Sequence, residues 1–235
     1  MSDHNPYAAL TAPPAAFAAA SERAAFLKKV YGLLFLGMLG FAATLWAAGN
    51  VAPVREMMLS LWGLIRGTRY GFLVYIGVFM AGSFAVQALA EKRPINAIAY
   101  AGWAFLLGLL VAPLVLAAGP ELVSQASLIT ALVFGGLTLF VLWTGKDFSF
   151  LRGTLFVVGM GLFVAMLAGW LFGFGMGMWL SVGIVALMAG YILYQTSEIL
   201  HRFPTTMAMS AAIILFTDVV LLFKHILILL MRSRD

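Results

Sequence analysis

The sequence contains no cysteine and few charged side chains. The absence of cysteine excludes disulfide bonds, thiolate metal sites and cysteine nucleophiles. Charged residues make up only 10% of the 235 residues and hydrophobic residues 63%, with a mean hydropathy of +1.03. A soluble domain has about a quarter of its residues charged. The chain is therefore predicted to be an all-α, multi-pass membrane protein that has the lipid bilayer as its surroundings.

Motifs of catalysis and metal binding are also missing. The only histidines are His4, His201 and His225, which lack the spacing of metal ligands, and neither H-E-x-x-H nor G-x-S-x-G occurs. We therefore predict no enzyme activity, no bound metal and no cofactor, apart from Ca²⁺ as a transported ion. The net charge of +5 is typical of the loops of a membrane protein, so no nucleic-acid partner is predicted.

Apolar runs of about 20 residues, each long enough to cross a hydrocarbon core of about 30 Å, predict seven spans. The predicted spans are residues 30–49, 70–90, 95–118, 122–143, 150–173, 178–200 and 207–231. Residues 1–21, rich in Ala and Pro, are predicted to be a flexible cytoplasmic tail, and residues 22–235 the transmembrane domain. Residues 57–65 are predicted to form a short interfacial helix, with a mobile gate over a cavity as the alternative.

The distribution of Lys and Arg predicts the orientation of the chain. With the N-terminus inside, the inner segments carry eight Lys or Arg residues and the outer segments five, with Lys224 left out as intramembrane. Because cytoplasmic loops are enriched in Lys and Arg, we expect a cytoplasmic N-terminus and a C-terminus outside.

The last two predicted spans carry unusual polar residues. Asp218 lies near the middle of the seventh span, where an acid costs about 2.5–3.5 kcal/mol, so it is expected to face the bundle or a water-filled cavity. Gln195 on the sixth span is expected to form a hydrogen bond with Asp218, and Glu198 to pair with Arg202 or to cap the helix end. His225 lies on a similar helical face to Asp218.

Two interpretations of Asp218 remain open. It is either a proton- or cation-responsive site, or a protonated acid that is bonded to a facing helix.

Polar residues and prolines near other helix ends predict local structure. Ser21 is expected to cap the first helix, and Asp147 or Ser149 the fifth. Pro113 is expected to kink the third span or mark its outer end.

Several stretches of the sequence resemble one protein family. The run LYQTSEIL, followed after a turn by LFTDVVLLF, is similar to the C-terminal signature of the Bax-inhibitor family of transmembrane Bax inhibitor motif proteins. The loop KDFSFL and the segment GLLVAPL resemble the same family, and the likeness spans residues 22–235. Among bacterial branches the chain looks most like the YccA branch, on the stretch ILYQTSEILH and the terminal Ser233-Arg234-Asp235.

The resemblance implies a seven-helix bundle with the last helix central. Family members are described as pH-sensitive calcium leak channels gated by two aspartates, on helices six and seven. Here Gln195 occupies the helix-six position, and Asp218 retains the helix-seven acid. With one acid instead of two, the mutual repulsion that would produce a shared-proton titration is lost.

The resemblance also implies a second activity. Proteins of the YccA type are described as binding and modulating the membrane protease FtsH, with the cytoplasmic N-terminal tail involved. We therefore expect a non-enzymatic modulator of FtsH in membrane-protein quality control, located in the bacterial inner membrane. The alternative is a pH-sensitive calcium or cation leak channel that uses Asp218, with Gln195, Glu198 and His225 as further candidate residues. No oligomeric state is predicted.

Overall fold

The computed structural model describes residues 14–173 and 177–234 and consists of helices joined by short loops. The α-helices are α1 (Ala20–Asn50), α2 (Ala52–Arg66), α3 (Gly71–Leu89), α4 (Ile95–Thr144), α5 (Leu151–Phe172), α6 (Gly177–His201) and α7 (Ala208–Arg232). Six helices, all except α2, are long and apolar enough to cross a membrane. The prediction of an all-helical, multi-pass membrane protein is thus confirmed, and the difference from seven predicted spans lies in α4.

Helix α4 is broken in its middle. Its 50 residues would make a straight rod of about 75 Å, more than twice the thickness of a bilayer core. The break is at Gly119, whose φ of 79° and ψ of 163° lie in a region that only glycine adopts readily. Pro120 follows and has no N–H to continue the helical hydrogen bonding. The helix continues through Pro113, so Pro113 does not mark the outer end of the span, and α4 consists of two arms, residues 95–118 and 120–144.

The two arms of α4 run in opposite directions. Tyr100, near the start of the first arm, donates a hydrogen bond from its hydroxyl to the carbonyl oxygen of Leu33, 3.1 Å away. Thr138, near the end of the second arm, lies against Tyr31 on the same part of α1. Because both ends of α4 meet one part of α1, the chain must reverse at Gly119.

Glycines allow α1 and the first arm of α4 to approach closely. A Cβ atom on Gly37 would overlap the hydroxyl of Tyr100, and one on Gly108 would lie 2.5 Å from Cγ2 of Thr44. Larger residues at these positions would force the helices apart. In a lipid bilayer the hydrophobic effect does not drive helices together, so their association depends on close van der Waals packing, which small residues allow.

Helix α7 is the most buried of the candidate spans. In its most apolar 18-residue window 56% of the residues are buried, against 44% or less in the others. Phe216 of α7 packs edge-to-face against Tyr100 and Phe41, with ring centroids 5.4 and 6.4 Å apart. Helix α7 packs against α1, α4 and α6.

The loops gather at two ends of the bundle. We term the end that includes the loops 90–94, 145–150 and 202–207 the amino-terminal end. The chain enters there, because the backbone N–H of Ala15 donates to the carbonyl oxygen of Phe203 at 3.0 Å. Residues 14–19, which the sequence assigns to the tail, are thus held against a loop, whereas residues 1–13 lie outside the described residues. The opposite, carboxy-terminal end includes the reversal at Gly119 and the end of α7.

The predicted side-chain caps are not formed. Helix α1 begins at Ala20, ahead of Ser21, and no side chain caps it. Helix α5 begins at Leu151, also without a side-chain cap. Asp147 instead accepts a hydrogen bond from the backbone N–H of Ser149 at 2.8 Å, which closes a tight turn within the loop. Both cap predictions are therefore wrong, because Ser21 lies inside helix α1 and the Asp147 carboxylate bonds within the loop.

A helix at the predicted residues 57–65 is present as the longer α2. Pro53 stands in its first turn, where the missing N–H costs nothing. The indole N–H of Trp62 donates to the carbonyl oxygen of Leu109, 3.1 Å away. Helix α2 is thus fastened to the first arm of α4 and forms one wall of a cavity, described below.

Candidate functional site

Asp218 is buried in the most enclosed helix of the protein. Its side chain is 7% exposed, and its Oδ2 atom has no hydrogen-bond partner among the described residues. The hydroxyl of the adjacent Thr217 is already engaged, since it donates to the carbonyl oxygen of Ile213 and accepts from the indole N–H of Trp103. The expectation that Asp218 faces the bundle is met, but the carboxyl oxygen lacks the hydrogen bond that usually accompanies burial.

Gln195, on the neighbouring α6, also has an unpaired oxygen. Its Oε1 atom is buried and has no hydrogen-bond partner in the described part of the chain. No hydrogen bond joins Gln195 to Asp218 in that part, so the expected bond across the hairpin is not formed. Tyr191, one turn before Gln195, is within electrostatic reach of Asp218. The hairpin therefore presents two acceptor oxygens in its interior, neither of which has a donor.

Glu198 has a different environment at the amino-terminal end. Its Oε1 atom lies 3.0 Å from Nε of Arg202, which confirms the expected ion pair four residues along the helix. The Arg202 side chain is 53% exposed and that of Glu198 18%, so Arg202 reaches the surface, whereas the Oε1 atom of Glu198 is buried. A pair with an exposed partner stabilises by about 0–1 kcal/mol. Glu198 is thus a paired residue at the amino-terminal end of the bundle.

His225 is separated from Asp218 along the helix. It lies seven residues further on in α7, which is a rise of about 10 Å. The two side chains share a helical face, as expected, but that distance is too large for a shared proton or a common ligand. His225 is half-buried, so it is a separate feature of the carboxy-terminal half of α7.

The chemistry open to this interior is that of hard oxygen atoms. Asp218 and Gln195 offer carboxyl and amide oxygens, the ligand types that Ca²⁺ prefers. Across the described residues there is no cluster of three or more His, Asp or Glu side chains that could hold a metal ion.

A network that sequence reasoning missed joins the loop before α5 to the end of α6. The fully buried Ser197 accepts a hydrogen bond from the backbone N–H of Phe148 at 2.8 Å and donates to the carbonyl oxygen of Lys146 at 3.3 Å. The ring nitrogens of His201 lie 2.9 Å from the carbonyl oxygen of Ser197 and 3.0 Å from that of Gly145. A protonated imidazole ring can donate to both. The sequence held one signal for this contact, because the segments KDFSFL and LYQTSEIL both resemble the same family.

Comparison with known proteins assigns the chain to a family. A family model described as "Inhibitor of apoptosis-promoting Bax1" matches residues 23–235, from the first turn of α1 to the last residue of the chain. The chain belongs to the Bax-inhibitor family. The match includes α6 and α7, so the interior with Asp218 and Gln195 lies inside the shared region.

The Bax-inhibitor relatives come from distant sources. The Golgi anti-apoptotic protein of Vaccinia virus is 30% identical over 209 residues, covering 88% of this chain and 85% of the viral protein. An uncharacterised protein of Campylobacter jejuni is 30% identical over 214 residues, covering 88% of each chain. Protein lifeguard 4 of Mus musculus is 30% identical over 212 residues, covering 87% of this chain and 84% of the relative. The likeness therefore extends over nearly the whole bundle.

Proposed function

We propose that this Bax-inhibitor family protein is a non-enzymatic, gated leak pathway for cations, with Ca²⁺ as the conducted ion and Asp218 as the controlling acid. The observation that carries this proposal is the buried Oδ2 atom of Asp218, which has no hydrogen-bond donor among the described residues. An acid with a purely structural role in a membrane-spanning helix would be expected to form hydrogen bonds with a facing helix, because an unsatisfied buried polar group costs about 1–3 kcal/mol. Asp218 carries that cost, which argues for a functional role.

The arrangement of helices supports the same proposal. We infer that the two arms of α4 are separate spans, which makes seven spans in total, with α7 at the centre of the bundle. The amino-terminal end would then face the cytoplasm and the carboxy-terminal end the outside of a bacterial inner membrane, consistent with eight Lys or Arg residues on one side and five on the other. Asp218 would lie close to mid-membrane, between the two aqueous phases.

The low exposure of Asp218 indicates a closed pathway. A carboxyl that is 7% exposed is out of reach of bulk water, so conduction needs a movement of α6 or its neighbours away from α7. Because the family's second acid is replaced by Gln195, we propose that the pathway responds to the protonation of a single carboxyl. Its pH response would then follow a one-site titration and not a coupled pair.

Calcium flux into proteoliposomes tests this proposal. Wild type is compared with Asp218→Asn at several pH values, and Glu198→Gln is the matched control, an acid of the same hairpin at the membrane edge. We expect a pH-dependent flux in wild type and Glu198→Gln, and no pH dependence in Asp218→Asn. Flux no greater than in empty liposomes, from protein shown to be folded, would refute the leak pathway. An unchanged pH response in Asp218→Asn would remove Asp218 from the mechanism.

A second candidate function is modulation of the membrane protease FtsH, as in the YccA branch. The contact of Ala15 with Phe203 supports it, because this contact holds the start of the described chain at the amino-terminal end of the bundle. In the proposed orientation that end would face the cytoplasm. Full-length protein and a variant without residues 1–13 would be used to capture FtsH from a mild detergent extract. Equal capture by both, or by neither, would defeat a tail-dependent interaction.

A further inference from the structure

A basic cavity opens near the carboxy-terminal end of the bundle, among α2, α3, the first arm of α4, α5 and α7. It has a volume of about 640 Å³, within the range of about 300–1,000 Å³ that is typical of ligand sites. Arg66, Arg69 and Lys224 line it, whereas no Asp or Glu is found among its described lining residues. The described lining of the cavity therefore carries three cationic side chains and no acid.

Lys224 is the deepest of the three cations. It lies eight residues before the end of α7, about 12 Å along the helix axis. Its Nζ atom donates to the hydroxyl of Tyr75 at 2.9 Å and lies 4.7 Å from the centre of that ring. A lysine at this depth is costly, and it usually pairs with an acid or a carbonyl group. Here its hydrogen-bond partner is a neutral phenol, so its charge is available to an anion.

Arg66 is held in place by the neighbouring indole ring. Its guanidinium carbon lies 5.3 Å from the ring centre of Trp62, and Trp62 is itself fixed by its hydrogen bond to Leu109. Contact with an aromatic face uses none of the five N–H donors of arginine, which remain able to bind a phosphate. The faces of Trp62 and Tyr75 are occupied by the protein's own cations, which leaves them poorly placed to receive a quaternary ammonium group.

The rest of the cavity wall is apolar. Trp170 of α5 stacks against Phe72 of α3, with ring centroids 6.3 Å apart. The remaining apolar lining includes Ile76, Leu114, Met166 and Ile228. A small soluble anion would gain nothing from this surface, whereas an acyl chain could pack along it.

We propose that this cavity binds one anionic phospholipid, with the phosphate between Arg66, Arg69 and Lys224 and an acyl chain along the wall of Trp170 and Ile228. The positive charge and the absence of a lining acid select the negative headgroup. The apolar wall selects a lipid over a free anion. The site is distinct from the interior around Asp218, since Asp218 does not line it.

Native mass spectrometry of the purified full-length protein, with one lipid added at a time, tests the site. The probes are phosphatidylglycerol, phosphatidylcholine of the same acyl chains, and inorganic phosphate. We expect wild type to bind phosphatidylglycerol about tenfold more tightly than phosphatidylcholine, because both lipids carry the phosphate but only phosphatidylcholine adds a choline cation, which the three cavity cations repel. Lys224→Met and the double variant Arg66→Gln, Arg69→Gln should each lose this preference.

Arg234→Gln is the matched control, because Arg234 lies at the same end of the bundle but pairs with Glu121 at 2.9 Å and does not line the cavity. Its lipid preference should equal that of wild type. The proposal is overturned if wild type has no preference, if both cavity variants keep it, or if inorganic phosphate competes with the lipid on equal terms. If Lys224→Met does not fold, the double arginine variant and a salt titration of wild type still test the proposal. Added salt should reduce a lipid preference that rests on charge.

Discussion

Glu198 and Asp218 are the two acids of the last helical hairpin, and their surroundings differ sharply. Glu198 lies at the membrane edge and pairs with Arg202 at 3.0 Å. Asp218 lies in the interior, 7% exposed, and its Oδ2 atom has no partner among the described residues. The comparison shows that the acid at the amino-terminal end forms a stabilising ion pair, whereas the interior acid carries the free-energy cost of a buried carboxyl oxygen without a described partner. An acid kept at such a position is a candidate for function.

The strongest test of this contrast is charge reversal at each acid. Asp218→Arg should destabilise the protein by about 3–5 kcal/mol, because it buries an uncompensated charge among packed helices. Glu198→Arg should cost at most about 1 kcal/mol, because its side chain can reach water at the amino-terminal end. Thermal unfolding of detergent-solubilised protein measures both. Equal losses would show that edge and interior do not differ.

The second test compares two adjacent hydroxyl groups near the edge. Ser197→Ala should cost about 1–3 kcal/mol, because the backbone N–H of Phe148 loses its acceptor. Thr196→Val is the matched control, since Thr196 is equally buried but its hydroxyl has no hydrogen-bond partner within the described residues. It should leave the unfolding midpoint unchanged or raise it. A loss in Thr196→Val as large as that in Ser197→Ala would contradict this contrast.

A third, smaller effect is expected from neutralising the interior acid. Asp218→Asn should raise stability by about 1 kcal/mol, because no charge can form at this buried position. Glu198→Gln, which removes an existing ion pair, should lower stability slightly. Both are measured by the unfolding midpoint at neutral pH. A clear loss of stability in Asp218→Asn would mean that the acid is structural after all.

The smallest effect concerns the pH response of the edge. The hydrogen bond from the backbone N–H of Ser149, with help from its hydroxyl, lowers the pKa of Asp147 below its usual value of 3.8. A carboxyl with a lowered pKa in the folded state stabilises the protein above its usual pKa, and this stability is lost as the pH falls through the lower value. The unfolding midpoint of wild type should therefore fall more than that of Asp147→Asn below about pH 4. Parallel curves would contradict this.

The helices and one ion pair were predictable from the sequence because both are local. Hydrocarbon forces the backbone to bond within each segment, so a long apolar run predicts a helix wherever it occurs. The pair of Glu198 and Arg202 follows from the four-residue spacing on one helix. The amphipathic α2 was predictable for the same reason, although its true length, Ala52–Arg66, exceeds the predicted one.

Contacts between helices were not predictable in the same way. The spanning helices are apolar on all sides, so the sequence does not indicate which face of each helix points into the bundle. The expected bond between Gln195 and Asp218 fails, and the meeting of Lys224 with Tyr75 was not foreseen, because each depends on how two helices are rotated against each other. Small residues such as Gly37 set that rotation through close contacts that a single sequence does not reveal.

The sequence by itself determined that this chain is a membrane protein, which segments are helical and which loops carry positive charge. These properties follow from hydrophobicity and from local spacing of residues. The tertiary structure decided that α4 folds back at Gly119, that Asp218 remains unpaired, and that Arg66, Arg69 and Lys224 share one cavity. Those features join residues far apart in the chain, and only the mutual fit of side chains on different helices can select them.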